Sequence, residues 1–200
     1  KATDNAGSLA ESEVLELNYT IFNRSTIKTI AEARAGNAGT SSDPGDTFTV
    51  AGVVTYKSGS NYYIQDATGG IVLYDNSLNL SRGQKVTVSG GLAAYNGLLE
   101  LVKVTVYGTE DGTLPAPKDV TIEGIGGSVQ AQLVKITGAK VTAVSGTSSL
   151  RVTLKQDGSD KTIDITGCPK VTNLSAGDTV TVTAVVSKNS SGEYLLVNSA

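Results

Sequence analysis

The stretch 61-NYYIQDATGGIVLYD-75 sets two short runs rich in Tyr, Ile, Val and Leu on either side of residues 66–70. Aromatic and β-branched residues flanking Asp, Thr and a Gly pair predict two antiparallel strands, about 61–67 and 69–75, with Gly69 and Gly70 serving the turn between them. Side chains alternate along a strand, so Tyr62 and Tyr63 must point to opposite faces, and one of them is expected outside.

Working outward, 47-TFTVAGVVTYK-57 reads as the strand before this hairpin, and 84-QKVTVSGGLAAY-95 and 97-GLLELVKVTVYG-108 as two strands after it. The last two are joined by Asn96-Gly97, a strong tight-turn signal. After the Pro- and Gly-containing linker 109-TEDGTLPAPK-118 come five more strand-like runs, at about 133–144, 149–156, 161–167, 178–187 and 192–198. The two blocks share a motif: 79-NLSRGQKVTV-88 matches 173-NLSAGDTVTV-182, each lying between a third and a fourth strand. One unit has been used twice. A long first strand interrupted by glycine, a hairpin, a connector and a second hairpin form the pattern of the OB-fold, a five-stranded Greek-key barrel. Gly52 and Gly138, inside the two first strands, suit the bend or bulge by which one strand serves both sides of a small barrel.

Upstream, Leu15, Leu17, Tyr19 and Ile21 alternate with polar residues at period two, which predicts a strand over about 13–22. Residues 25-STIKTIAEARAG-36 predict a short helix over about 26–35, with Ser25 as N-cap, Ile27, Ile30, Ala31 and Arg34 at helical spacing, and Gly36 as the stop. The expected fold is therefore all-β: two tandem OB-like five-stranded Greek-key barrels with an N-terminal strand and short helix. The expected divisions are an N-terminal extension over 1–44, a first barrel over 45–113 and a second over 114–200.

The run FTVAGVVTYKSGSNYYIQDATGGIVLYD, followed by LSRGQKVTVSGGLAAYNGLLELVKV, resembles the OB-like modules that accompany nuclease and phosphoesterase domains in secreted or wall-attached bacterial proteins of the YhcR type. The likeness covers about residues 28–108, and the second unit follows it in outline. The resemblance implies a module without its own chemistry, because such relatives carry catalysis in separate domains.

Composition narrows the function classes. The chain contains no histidine, the side chain best suited to proton transfer near neutral pH and the commonest metal ligand. The carboxylates Asp66, Asp75, Glu100, Asp157, Asp160 and Asp164 fall in turns or at alternating strand positions, where solvated charges are expected, so no catalytic set is assigned. The loops 43-DPGD-46 and 157-DGSD-160 lack the alternating ligands and distal Glu of a calcium loop and read as turns. No metal or cofactor is expected. The single Cys168 cannot close an intrachain disulfide, and without a base beside it it reads as a small buried hydrophobe. No run approaches the length of an apolar membrane span. The polar start, without an initiator Met, and the Thr, Ser, Asn and Gly texture point to an extracellular or cell-surface protein.

Two partner readings follow. In the first, Leu15, Leu17, Tyr19, Ile21 and Phe22 add as a strand to a neighbouring copy, giving a filament or surface layer by strand complementation. In the second, the strand-two and strand-three face of the first barrel stacks single-stranded nucleic acid or polysaccharide on Tyr62, Tyr63, Tyr74 and Tyr95. Charge opposes phosphate binding there: residues 45–113 set Lys57, Arg82, Lys85 and Lys103 against Asp46, Asp66, Asp75, Glu100, Glu110 and Asp111, and the whole chain carries −3. The first reading leads, with self-association as the expected partnership.

Overall fold

The structure, a computed structural model, describes residues 27–169 and 173–197. Its elements in chain order are β1 (Ile27–Lys28), α1 (Ile30–Arg34), β2 (Thr47–Ser58), β3 (Asn61–Gln65), β4 (Gly70–Tyr74), β5 (Gln84–Tyr95), β6 (Leu98–Asp111), β7 (Lys118–Asp119), a 3-10 helix (Gly127–Val129), β8 (Leu133–Ser145), β9 (Ser149–Lys155), β10 (Thr162–Pro169), β11 (Thr179–Asn189) and β12 (Gly192–Leu196). The first sheet runs β1-β2-β3-β4-β6-β5 and closes through β2–β5; the second runs β7-β8-β9-β10-β12-β11 and closes through β8–β11. In each, the third and fifth barrel strands pair in parallel, β4 with β6 and β10 with β12. This is the OB-like Greek-key barrel, built twice.

The repeated motif is a repeated turn. In the first barrel Gln84 Oε1 accepts from the Ser81 amide, and the Gly83 amide donates to the Val54 carbonyl of β2. In the second, Asp178 Oδ2 accepts from the Ser175 amide, and the Gly177 amide donates to the Val141 carbonyl of β8. Gly83 and Gly177 have φ of 92° and 99°, a conformation only glycine adopts freely. The β5–β6 hairpin turns on Asn96 and Gly97, both at positive φ, as the tight-turn signal predicts. Of the two interrupting glycines, Gly138 sits at φ 70° beside a register shift between β8 and β11, whereas Gly52 lies in unbroken register with β5 and makes room for Ile30.

Three differences from the sequence expectation have physical causes. The helix is capped by Thr29, not Ser25, and Ile27, expected in it, belongs to β1: Thr29 and Glu32 form a reciprocal capping box, and the connection after β3 completes the cap, since Asp66 Oδ2 accepts from the Ile30 amide and Thr68 Oγ1 from the Ala31 amide. The helix is also no appendage: Ile30 and Ala33 are buried in the core of the first barrel with Val50, Ile64, Leu92 and Leu101. The second unit repeats the arrangement with β7 and the 3-10 turn, whose Val129 joins Ile122 and Ile125 in the second core. Two- and three-residue elements are too short for a periodic signal. Cys168 is buried in that same core.

A third apolar cluster joins the barrels: Tyr63, Val72 and Leu98 of the first meet Ala131, Leu133, Val185 and Leu196 around the second, with Tyr56 and Tyr194 at its margin. Polar groups are satisfied across it. Tyr63 Oη and Ser187 Oγ lie 2.8 Å apart, Gln65 Oε1 accepts from the Leu133 amide at 2.7 Å, and Arg34 donates to the carbonyls of Gly70 and Gly127. Gly70 belongs to this junction rather than to the turn, because a Cβ there would sit 2.2 Å from the Ala131 carbonyl oxygen.

Candidate functional site

The outer face of β3, β4 and β6 is divided between cover and exposure. Pairing places Tyr63 opposite Val72, Val72 beside Glu100, Asn61 opposite Tyr74, and Tyr95 opposite Leu98. Paired residues share a face, so these side chains form one continuous surface. Its inner half, Tyr63, Val72 and Leu98, lies under the second barrel. Its outer half stays open: Tyr74 and Tyr95, 40% and 65% exposed, stand over a cleft of about 300 Å³ that is also lined by Ser41, Asn61 and Glu100.

Tyr62 and Tyr63 do point to opposite faces, yet neither is free. Tyr62 is 1% exposed inside the first barrel, where its hydroxyl donates to the Leu78 carbonyl. Lys57 Nζ lies 4.9 Å from the centroid of its ring. Tyr63 takes the outer face, but the second barrel covers it to 2% exposure, and Tyr56 packs edge-on against it at 5.8 Å. Alternation fixes which way a side chain points, and it carries no information about what docks on that face. Of the four tyrosines expected to stack a ligand, the structure keeps Tyr74 and Tyr95 together and accessible and assigns Tyr62 and Tyr63 to packing. Leu15, Leu17, Tyr19, Ile21 and Phe22, expected to dock on a neighbouring subunit, lie outside the described residues.

The third wall of the cleft comes from the loop between α1 and β2. Its amides at Gly39 and Gly45 both donate to the Leu92 carbonyl of β5, and Asp46 Oδ2 accepts from the backbone and side chain of Asn37. So pinned, the loop sets Ser41 Oγ 2.7 Å from Glu100 Oε1, to which it donates, and Lys103 Nζ reaches the Ser42 carbonyl at 3.1 Å. Glu100 is 5% exposed. Burial pushes its carboxyl above the usual carboxylate range, against the Ser41 bond that favours the charged form. Asn61 falls in a strand the sequence pattern shows, whereas Ser41 arrives from an irregular loop and has no periodic signal.

Glu100, expected among the solvated carboxylates, is thus buried; of the others, Asp66, Asp75 and Asp164 bond within the fold, while Asp157 and Asp160 are solvent-exposed partners of surface ion pairs. Asp66 caps α1, Asp75 accepts from the amides of Ser77 and Val104, Asp157 pairs with Lys140 at 2.8 Å, Asp160 with Lys155 at 3.3 Å, and Asp164 accepts from Thr153 at 2.7 Å. The first two pairs flank a larger cleft of about 470 Å³ on the second barrel, which has no aromatic lining. Among the described residues, no three His, Cys, Asp or Glu side chains gather to hold a metal ion, and no helix is long and apolar enough to cross a membrane. The open cleft beside Tyr74 and Tyr95 thus combines two aromatic faces, an amide, a hydroxyl and a buried carboxylate, a set that stacks planar groups and accepts hydrogen bonds from them.

No protein-family model matches the chain. It is 32% identical over 107 residues to Endonuclease YhcR of Bacillus subtilis, a match spanning 44% of this chain and 9% of that protein. Among solved structures, it is similar to a murine DNA binding protein bound with double-stranded DNA, with a TM-score of 0.39 and 11% identity over 75% of this chain and 90% of that one. A multidomain protein with nucleic acid binding domains from Streptococcus pneumoniae matches with a TM-score of 0.25 and 15% identity over 76% of this chain and 45% of that one. Both structural likenesses are too remote to carry a residue or a function across.

Proposed function

We propose that this chain is a non-catalytic binding module whose first barrel takes single-stranded nucleic acid in the cleft between Tyr74 and Tyr95. The observation that carries the reading is the half-open OB face, where two accessible tyrosines border a cleft lined by hydrogen-bonding groups. Stacking on such rings contributes about 1–3 kcal/mol per base in single-strand binders. The partial likeness to a protein named as an endonuclease supports nucleic acid over other polymers. The engagement of Asp66, Asp75, Asp157, Asp160 and Asp164 in caps, turns and ion pairs supports a module without its own hydrolytic centre.

The electrostatics shape what such binding looks like. A carboxylate lines the cleft, so phosphates lie outside it and the bases enter. The cations at hand are few, with Lys103 tied to the Ser42 carbonyl and Lys188 packed near Gly97 and paired with Glu193 at 3.6 Å. Affinity should therefore fall with salt along a shallow slope, of about one to three phosphate contacts. Titrating a labelled 12-nucleotide single strand at low and at moderate salt tests this. A shallow, measurable dependence supports the reading, and no binding at low salt refutes it.

A further inference from the structure

Glu100 is an unusual lining for a nucleic-acid cleft. Its carboxyl is buried in the cleft that Tyr74 and Tyr95 border, and one of its oxygens is fixed by the Ser41 hydroxyl at 2.7 Å, itself held by a loop anchored on β5. Above its raised titration range Glu100 is ionised, and an ionised carboxylate only accepts hydrogen bonds. A base stacked on Tyr74 or Tyr95 with its edge toward this group must therefore bring a donor, and a base that brings carbonyl oxygens leaves a buried charge facing lone pairs.

Resting on the binding reading above, we infer that Glu100 makes the cleft selective among bases: it admits those whose edges carry an exocyclic amino donor, guanine foremost, and rejects thymine and uracil. Guanine presents adjacent N1–H and N2–H donors that match the two oxygens of one carboxylate. Cytosine presents its N4 amino group, which an acidic side chain can accept, beside the acceptor N3. Thymine and uracil offer one N–H between two carbonyls. Adenine presents the same pair as cytosine, its N6 amino group beside the acceptor N1, so cytosine and adenine both rank between guanine and the two pyrimidines that lack an amino group. Asn61, which carries both donor and acceptor, can complement any of these edges, so the discrimination is assigned to Glu100.

The test measures binding of labelled d(TG)6, d(TC)6 and dT12 at low salt to the whole chain and to its Glu100→Gln variant, with thermal unfolding of both as the check on folding. The inference expects d(TG)6 and d(TC)6 to bind the natural chain roughly 5- to 150-fold more tightly than dT12. It expects Glu100→Gln, isosteric and able to donate as well as accept, to collapse that ratio mainly by gaining affinity for dT12. Equal binding of all three by the natural chain overturns the base rule and leaves the binding module standing. A ratio that persists in Glu100→Gln overturns the role of Glu100. Binding of none, or of a neutral polysaccharide such as xylan instead, overturns the rule and the nucleic-acid reading together.

Discussion

Tyr63 and Ser187, 124 residues apart in the chain, place their hydroxyl oxygens 2.8 Å from each other in the buried junction between the barrels. Burial raises the Tyr63 phenol well above its ordinary range, the Ser187 bond opposing the shift. Tyr63→Phe removes one partner and leaves the Ser187 hydroxyl buried without it, which costs about 1–3 kcal/mol. Tyr63→Ala adds a cavity and costs about 3–5 kcal/mol. Equilibrium urea unfolding of both variants checks the order. Neither change touches the open cleft, so oligonucleotide affinity measured where both variants are folded should match that of the natural chain.

Gly70 faces the Ala131 carbonyl with no room for a methyl group. Gly70→Ala forces the junction apart by more than an ångström or distorts β4, and the cost of such overpacking is about 1–3 kcal/mol or more. The expected result is a lowered unfolding temperature, with protease sensitivity appearing first between residues 112 and 132, where the chain passes from one barrel to the other. Gly69→Ala is the control, because a Cβ there meets only ordinary contacts, the nearest at 3.6 Å. If both glycines tolerate alanine equally, the close approach at Gly70 is not what joins the barrels.

Two carboxyls of the first barrel respond to pH in opposite directions. Asp75 is held below its ordinary range, first by the Ser77 hydroxyl and then by the Ser77 and Val104 amides. Its folded value lies below its unfolded one, so its stabilisation is present at neutral pH and is lost as pH falls through the acid carboxylate range. Glu100 is held above its range by burial. Its folded form keeps a proton that the unfolded chain has released, so its contribution weakens as pH rises through the window just above the ordinary glutamate value. Glu100→Gln should flatten the stability profile in that upper window, and Asp75→Ala should flatten it in the lower one while costing about 1 kcal/mol at neutral pH. Urea midpoints collected from acid to neutral pH distinguish the two.

Much of this architecture is legible in the residues themselves. The Asn96-Gly97 turn, the two NLS-x-G repeats and the alternating runs specify ten barrel strands and the OB-like connectivity, because each signal is local and periodic. What escaped was whatever depends on one surface covering another. Tyr63 and Tyr95 read alike in the sequence, and only the docking of the second barrel separates a packing residue from an accessible one. Gly70 resembled turn chemistry because its constraint comes from Ala131, 61 positions away. Ser41 joins the cleft through a loop held by backbone hydrogen bonds, which no side-chain pattern announces.

The central claim is that Tyr74 and Tyr95 form the platform on which a single strand stacks. It is tested most directly by fluorescence anisotropy of a labelled mixed-sequence 12-nucleotide strand at low salt, comparing the natural chain with Tyr74→Ala/Tyr95→Ala. Both rings are exposed, so the double variant should keep its circular dichroism and unfolding temperature while affinity falls about tenfold or more, the loss of at least one stacked base. Unchanged affinity in the folded double variant would contradict the account, as would a natural chain that binds no strand at all.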